Sequence, residues 1–194
     1  MSTALELLLG AKGENSVASL IGKWRVYISK QVDALAQGGL ILPDYGWAKR
    51  ASSDQAGVTA PTSIDLNVVG VTRGISYANS RWTLQPSTTY LLRAFGYFQN
   101  FSDATGGFMD VKFTDDANNP LQVGQADSPQ GRFRPNTSTA AHSTAAGLEM
   151  IYKTPADPNS PLCIVKLRIV QGSGSADVPQ NGFMMTVEEI PGGV

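Results

Sequence analysis

The sequence predicts a mainly β protein, an antiparallel sandwich or barrel, preceded by an N-terminal arm that holds one amphipathic helix. From Ser63 onward, short apolar or alternating segments are separated by Gly, Pro, Asn and Asp clusters at intervals of about 8–12 residues. Before residue 43 the apolar residues instead recur three and four positions apart. The predicted organisation is an arm at residues 1–42, an ordered connector at 43–62 and a β domain at 63–194.

The helix of the arm is predicted from one apolar stripe. Its members are spaced by four and three residues in alternation: Val17, Ile21, Trp24, Ile28, Gln31 and Leu35. A strand at 24–28 is the alternative, but that alternation is short, whereas the helical spacing continues to the Gly38-Gly39 pair. The same spacing forms a heptad pattern, which is marginal evidence for a coiled coil.

The arm is also predicted to bind a partner. A helix of this length is marginal in water by itself, so its apolar stripe needs a surface to pack against. A second short apolar segment lies near the N-terminus, at residues 5–9. We therefore expect the partner-binding anchors to be Leu7, Leu8, Trp24, Ile28 and Leu35.

Composition excludes several classes of protein. The chain has 194 residues, 42% hydrophobic and only 16% charged, with a net charge of −1. This balance gives no electrostatic case for a nucleic-acid or acidic-lipid partner. The segment MSTALELLLG lacks a basic start and contains Glu6, so we expect neither a signal peptide nor a membrane span.

The residues that carry most enzyme chemistry are sparse, and we expect no catalytic residue, cofactor or metal. His142 is the only histidine, and Cys163, the only cysteine, lies in the apolar run LCIVKLRIV, where burial would make it inert. The acidic segment TDDANNP, residues 114–120, favours a tight turn, with calcium binding as the alternative. Glu188 and Glu189 are adjacent in a predicted strand and therefore point to opposite faces.

The segment GRFRP, residues 131–135, is a weak candidate for a contact surface. Arg132 and Arg134 flank Phe133, an arrangement that can touch nucleic acid, sugar or protein. Few other basic residues are close to it in the sequence, so we expect a loop contact rather than a basic patch.

One stretch resembles a known family. In residues 82–129 a predicted strand begins at Trp82, and the next begins with Thr-Tyr-x-Leu. A Ser-Asp-x-x-Gly turn follows, and a further strand leads to Thr-Asp-Asp and Asn-Asn-Pro-Leu. This stretch resembles the jelly roll of the complement-globular-head and tumour-necrosis-factor superfamily, in the form found in bacteriophage virion proteins. Later segments such as NGFMMTVEEI resemble its last strands, so the resemblance covers residues 63–194.

The resemblance implies an antiparallel jelly-roll sandwich that forms a homotrimer and has no enzymatic activity. In phages such trimers act as capsid decoration (cement) proteins, head fibres or fibre tips, and they assemble into virions in the host cytoplasm. Our first expectation is therefore a homotrimeric decoration protein on the capsid surface, whose arm clamps the major capsid protein.

The alternative is a head-fibre or tail-fibre module that binds a host receptor or glycan. In that case the arm would be a stem or attachment peptide. The contact surface would be formed by loops that contain Asp103, Arg132, Phe133 and His142.

Overall fold

The computed structural model describes residues 22, 24–26, 28–30, 32, 42–51, 53–103, 106–123, 126–127, 131–135, 143 and 146–191. The chain divides into two compact units. One comprises Met1–Leu42 with Pro191–Val194, and the other comprises Pro43–Ile190.

The first unit contains the N-terminal helix. Its described residues, 22, 24–26, 28–30 and 32, all have helical backbone. The helix prediction is therefore confirmed for these positions, and the alternative strand at 24–28 was wrong. Within the described parts of the chain, no helix is both long enough and apolar enough to cross a membrane.

The second unit is built from short strands and one 3-10 turn at Pro161–Cys163. In chain order the strands are β1 (Tyr45–Lys49), β2 (Gln55–Val58), β3 (Thr62–Ser63), β4 (Val68–Arg73), β5 (Ser76–Ala78), β6 (Arg81–Thr83), β7 (Thr89–Gly96), β8 (Phe108–Thr114), β9 (Gln122–Val123), β10 (Ala126–Asp127), β11 (Gly131–Phe133), β12 (Ala146–Lys153), β13 (Ile164–Ser173), β14 (Ala176–Val178) and β15 (Phe183–Glu189).

These strands form two principal antiparallel sheets. Sheet 1 has the order β12-β7-β15-β1-β4, and sheet 2 has the order β11-β8-β13-β6-β5, with β3 also paired to β13. The two smaller pairs are β9 with β10 and β2 with β14. Every strand pair is antiparallel, which confirms the predicted fold class.

The chain alternates between the two sheets, as a jelly roll requires. It passes from β6 in sheet 2 to β7 in sheet 1 and back to β8 in sheet 2. After β11 it again crosses to β12, returns to β13 and finishes in sheet 1 with β15. Neighbours within one sheet are therefore distant in sequence, which places side chains from separate segments on a common face.

The inner faces of the sheets form one apolar core. At one end the Phe98 ring packs edge-on against the rings of Phe101, Phe133 and Phe183, with centroids 5.0–6.2 Å apart. Such edge-to-face pairs add to the free energy already gained by burying the rings. Trp82, also fully buried, lies close to the Gly46 backbone, where an added Cβ would come within 2.4 Å of its ring.

The structure differs from the prediction at residues 43–62. This segment was expected to be a connector, but it holds β1 and β2, and β1 is paired on both sides within sheet 1. The inward positions of β1 are the small residues Gly46 and Ala48, and the Trp82 ring fills the space beneath Gly46. With its larger residues facing outward, the strand lacks the apolar alternation by which it would be recognised.

Candidate assembly surfaces

The N-terminal helix presents large apolar side chains to solvent. Of the five predicted anchors, the structure describes Trp24, which is 56% exposed, and Ile28, which is 54% exposed. Val32, which the sequence analysis did not select, follows four residues after Ile28 and is 57% exposed. Side chains four residues apart lie along one face of a helix. The predictions for Leu7, Leu8 and Leu35 lie outside the described residues.

A second apolar surface covers the outer side of sheet 1. Phe95 on β7 lies directly opposite Met184 on β15, and Leu91 on β7 lies directly opposite Ile151 on β12. Phe95 and Ile151 are each 46% exposed, and Met184 is 36% exposed. We call these four residues the apolar face of sheet 1. They form two apolar pairs on one outer face, and exposed apolar patches mark interaction surfaces in soluble proteins.

Charged side chains divide this face. Arg93, between Leu91 and Phe95 on β7, donates from Nε to the Glu149 carboxylate at 2.7 Å. A second carboxylate, on Glu188, lies 3.8 Å from its Nη1. These partners raise the pKa of Arg93, with the hydrogen bond to Glu149 as the largest cause. An exposed pair of this kind contributes little to the stability of a single chain, but it restricts how another surface can fit against the face.

Sequence reasoning missed the apolar face of sheet 1. The signal for it was in TTYLLRAFGYF, where Leu91 and Phe95 are apolar although they alternate with the inward residues Tyr90, Leu92 and Ala94. When a strand has apolar side chains on both faces, either both faces are covered by other parts of the protein or one apolar face is exposed. The residues of β12 and β15 that lie opposite Leu91 and Phe95 could not be identified, because the sequence does not specify the strand register.

The GRFRP segment has a different role from the expected one. Phe133 is fully buried against Phe98 and Phe183, so its expected role in a contact loop was wrong. Arg132 lies on β11 and clasps the buried carboxylate of Asp110 through two bonds of 2.7 and 2.6 Å. Its guanidinium also lies 4.6 Å from the centroid of the Phe108 ring.

Asp103, another residue of the expected glycan-contact surface, makes a local contact. An Oδ1 atom of Asp103 accepts a 2.8 Å bond from the Gly106 backbone and so closes a local turn. The prediction for His142 lies outside the described residues.

The acidic segment after β8 folds as a turn. Asp115 accepts bonds from the Asn119 backbone N–H at 2.8 Å and from its side-chain Nδ2 at 3.2 Å. The Lys166 ammonium fills the other side of the loop and donates 2.7 Å bonds to the Asp116 carbonyl and to Asn118 Oδ1. The Asp115 carboxylate and Asn118 Oδ1 are thus bonded to protein donors, and Asp116 Oδ1 lies 2.9 Å from Arg81 Nη1. Among the described residues, no group of His, Cys, Asp and Glu is placed to hold a metal ion.

The remaining chemical candidates have structural roles. Cys163 is buried, as predicted, and burial raises the pKa of its thiol. Glu188 faces Arg93, whereas Glu189 accepts a 2.8 Å bond from the Asp44 backbone. The two adjacent carboxylates therefore act at different places, as the strand geometry predicted.

A cleft of about 400 Å³ lies beside the 3-10 turn. It is lined by Asp115, Asn119, Pro120, Gln122, Tyr152, Lys153, Pro155 and Leu162. Its Asp115 carboxylate is bonded to Asn119, and the Tyr152 hydroxyl donates to the Leu162 carbonyl at 2.7 Å. Two polar groups of the cleft are therefore bonded within the protein itself.

Comparison with known proteins finds similar folds at low identity. No protein-family model matches the chain, and no curated protein matches it. Murine APRIL at pH 5.0 is 9% identical, with a TM-score of 0.48 over 77% of this chain and 100% of that chain. The PRD1 vertex protein P5 is 14% identical, with a TM-score of 0.46 over 76% of this chain and 96% of that chain.

Proposed function

We propose that this protein is a non-enzymatic structural component of a phage virion: a homotrimeric capsid decoration (cement) protein. In this role the jelly roll holds three copies together and the arm binds the major capsid protein on the capsid surface. A decoration protein stabilises a capsid because it binds the assembled lattice and not the dissociated subunits, so its binding free energy adds to that of the assembled state.

The observation that carries the trimer is the apolar face of sheet 1. An antiparallel sandwich buries its inner faces and normally exposes polar outer faces. Here Phe95 and Met184 lie opposite each other on the outer face, Ile151 lies opposite Leu91 further along it, and Phe95, Ile151 and Met184 remain substantially exposed in the single chain. Burying an aromatic or large aliphatic side chain contributes about 1.5–3 kcal/mol, so a second copy seated on this face would gain substantial free energy.

The occupant we assign to this face is another copy of the same chain. The resemblance of residues 63–194 to a trimeric superfamily favours a closed ring of identical contacts, in which each copy presents the same surface to the next. Arg93 with Glu149 and Glu188 would then set the register of the contact.

The arm supports the second half of the proposal. Trp24, Ile28 and Val32 form an exposed apolar strip on a helix, and Trp is among the residues that most often dominate binding energy at interfaces. Helix-in-groove docking uses anchors at this spacing. We assign the strip to a groove on the major capsid protein.

The alternative, a host receptor or glycan-binding fibre module, has less support. Its expected contact residue Phe133 is in the core, and Arg132 is bonded to Asp110. Truncation distinguishes the two roles. Removal of residues 1–36 should abolish capsid binding if the protein is a decoration protein, and should leave glycan or cell binding intact if it is a fibre module.

The solution mass of the full chain tests the trimer directly. Light scattering after size exclusion should give about three times the chain mass of 20.6 kDa. A single-chain mass across the accessible concentration range would refute the trimer.

A further inference from the structure

The N-terminal helix carries a cation along one border of its apolar strip, which consists of Trp24, Ile28 and Val32. Successive helical residues are about 100° apart around the axis, so these three side chains span a sector of about 80°. Arg25 lies about 20° beyond Val32 in this projection. It also precedes Ile28 by three residues, a spacing at which side chains are neighbours on a helix surface. Arg25, which is exposed, therefore borders the strip.

The opposite side of the same helix carries a second cation. Lys30 lies two residues after Ile28 and two before Val32, a spacing that places it about 160° from both around the axis. Its neighbour there is Val26, four residues earlier. Lys30 is exposed, as Arg25 is, and both have helical backbone. The two cations thus differ in one respect that matters for docking, because only Arg25 borders the strip.

We infer that the groove on the major capsid protein that receives the strip has an apolar floor and a carboxylate on the border that faces Arg25. This inference rests on the proposed function, because it specifies the chemistry of the surface assigned to the arm. Docking of the strip would bring Arg25 to the rim of the contact, where a cation is favoured by an opposite charge on the partner. The planar guanidinium matches a carboxylate through two parallel hydrogen bonds.

Another copy of the helix fits this border less well than a different protein does. No carboxylate occupies any described position of the helix, so a bundle of these helices offers Arg25 no partner among the described residues. A nucleic acid is also disfavoured, because its binding depends on many simultaneous contacts between cations and phosphates. The strip has one bordering cation among the described positions, and the net charge of the chain is −1.

The test measures rebinding of the full chain to phage particles from which this protein has been stripped, by co-sedimentation over a range of protein concentrations. Arg25→Glu is compared with Lys30→Glu, which makes the same charge change on the same helix, away from the strip. We expect Arg25→Glu to raise the half-saturating concentration by about tenfold, since it opposes two carboxylates, and Lys30→Glu to leave it within about twofold of the wild type.

The dependence on salt gives a second readout of the same contact. Arg25→Gln removes the charge while it keeps a polar side chain on the helix. Wild-type rebinding should weaken as the salt concentration rises, and Arg25→Gln should reduce this dependence because one charge pair is lost. Helical circular dichroism equal to that of the wild type shows that the variants remain folded. An unchanged salt dependence in Arg25→Gln would contradict the inference.

The double variant Trp24→Asp/Ile28→Asp distinguishes failure of the inference from failure of the proposed function. If it rebinds as the wild type does, the assigned role of the arm is wrong and the inference falls with it. If it does not rebind, but Arg25→Glu and Lys30→Glu rebind equally well, the inference alone is overturned. A lower mass of the double variant in light scattering would show that the strip contacts another copy of the chain, which also overturns the inference.

Discussion

The Nζ atom of Lys166 lies 2.7 Å from Oδ1 of Asn118, so a buried ammonium on β13 holds the turn that follows β8. Lys166→Met keeps the side-chain stem but removes the donors, and it leaves the Asn118 side-chain oxygen and the Asp116 carbonyl without this partner. We expect the free energy of unfolding to fall by about 1–3 kcal/mol, measured by urea denaturation. The exposed control Lys153→Met should change it by less than about 0.5 kcal/mol. Equal effects of the two substitutions would show that the ammonium does not hold the turn.

Phe95 tests the apolar face of sheet 1. Because its side chain is 46% exposed in the single chain, Phe95→Asp should leave each chain folded. In the trimer the new carboxylate would be buried in the contact between copies without a partner, and the free-energy cost of that burial should prevent the copies from associating. We expect light scattering to show the single-chain mass of 20.6 kDa and circular dichroism to remain unchanged.

The matched control for Phe95 is Leu162, an apolar side chain of similar exposure at the 3-10 turn. Leu162→Asp should remain trimeric. If Phe95→Asp also remains trimeric, the face has been assigned wrongly.

Tyr152 makes stability depend on alkaline pH. Burial, followed by the charges of Cys163 and Asp115, raises the pKa of Tyr152 from 10.0 to about 12. The unfolded chain therefore loses this proton first, and the stabilisation that is complete below pH 10 declines as the pH rises towards 12. For Tyr152 alone the loss at pH 11 is on the order of 1 kcal/mol.

The measurement is the free energy of unfolding at pH 9 and pH 11. Tyr152→Phe cannot ionise, so this variant should lose less stability between the two pH values than the wild type does. A residual loss is expected from Tyr77, whose pKa burial also raises to about 12. An unchanged pH dependence in Tyr152→Phe would contradict the assignment.

A substitution of Phe133 tests whether this residue belongs to the core or to a surface contact loop. Its ring centroid lies 5.2 Å from that of Phe98 and 5.5 Å from that of Phe183. Phe133→Ala should therefore lower the free energy of unfolding by about 3–5 kcal/mol in urea denaturation. A change as small as that of Leu162→Ala, an exposed position, would place Phe133 at the surface instead.

The longer strands could be predicted from the sequence because one of their faces is buried continuously. In β8, the apolar residues Met109, Val111 and Phe113 alternate with outward residues and face the core as expected. The segment ISYANSRWTLQ has the pattern of two short strands around an Ala-Asn-Ser turn, and β5 and β6 pair there with Asn79 and Ser80 at positive φ angles of 50° and 60°. At these positions the apolar alternation and the turn residues of the sequence predict the same strands that the structure shows.

The apolar face of sheet 1 could not be predicted, since it depends on which strands are neighbours. Register has the same effect in sheet 2, where Lys112 and Arg168 are far apart in sequence and only the β8–β13 pairing makes them opposite. The sequence analysis expected few basic residues near Arg132, but the jelly roll brings three strands together there. Phe95 and Met184 meet for the same reason.

The most direct test of the central claim uses phage particles from which this protein has been stripped. The full chain is added back, and its position is determined by electron microscopy. We predict saturable rebinding at local three-fold positions of the capsid, abolished in Trp24→Asp/Ile28→Asp. Binding only at a portal or tail, or undiminished rebinding by that double variant, would contradict the account.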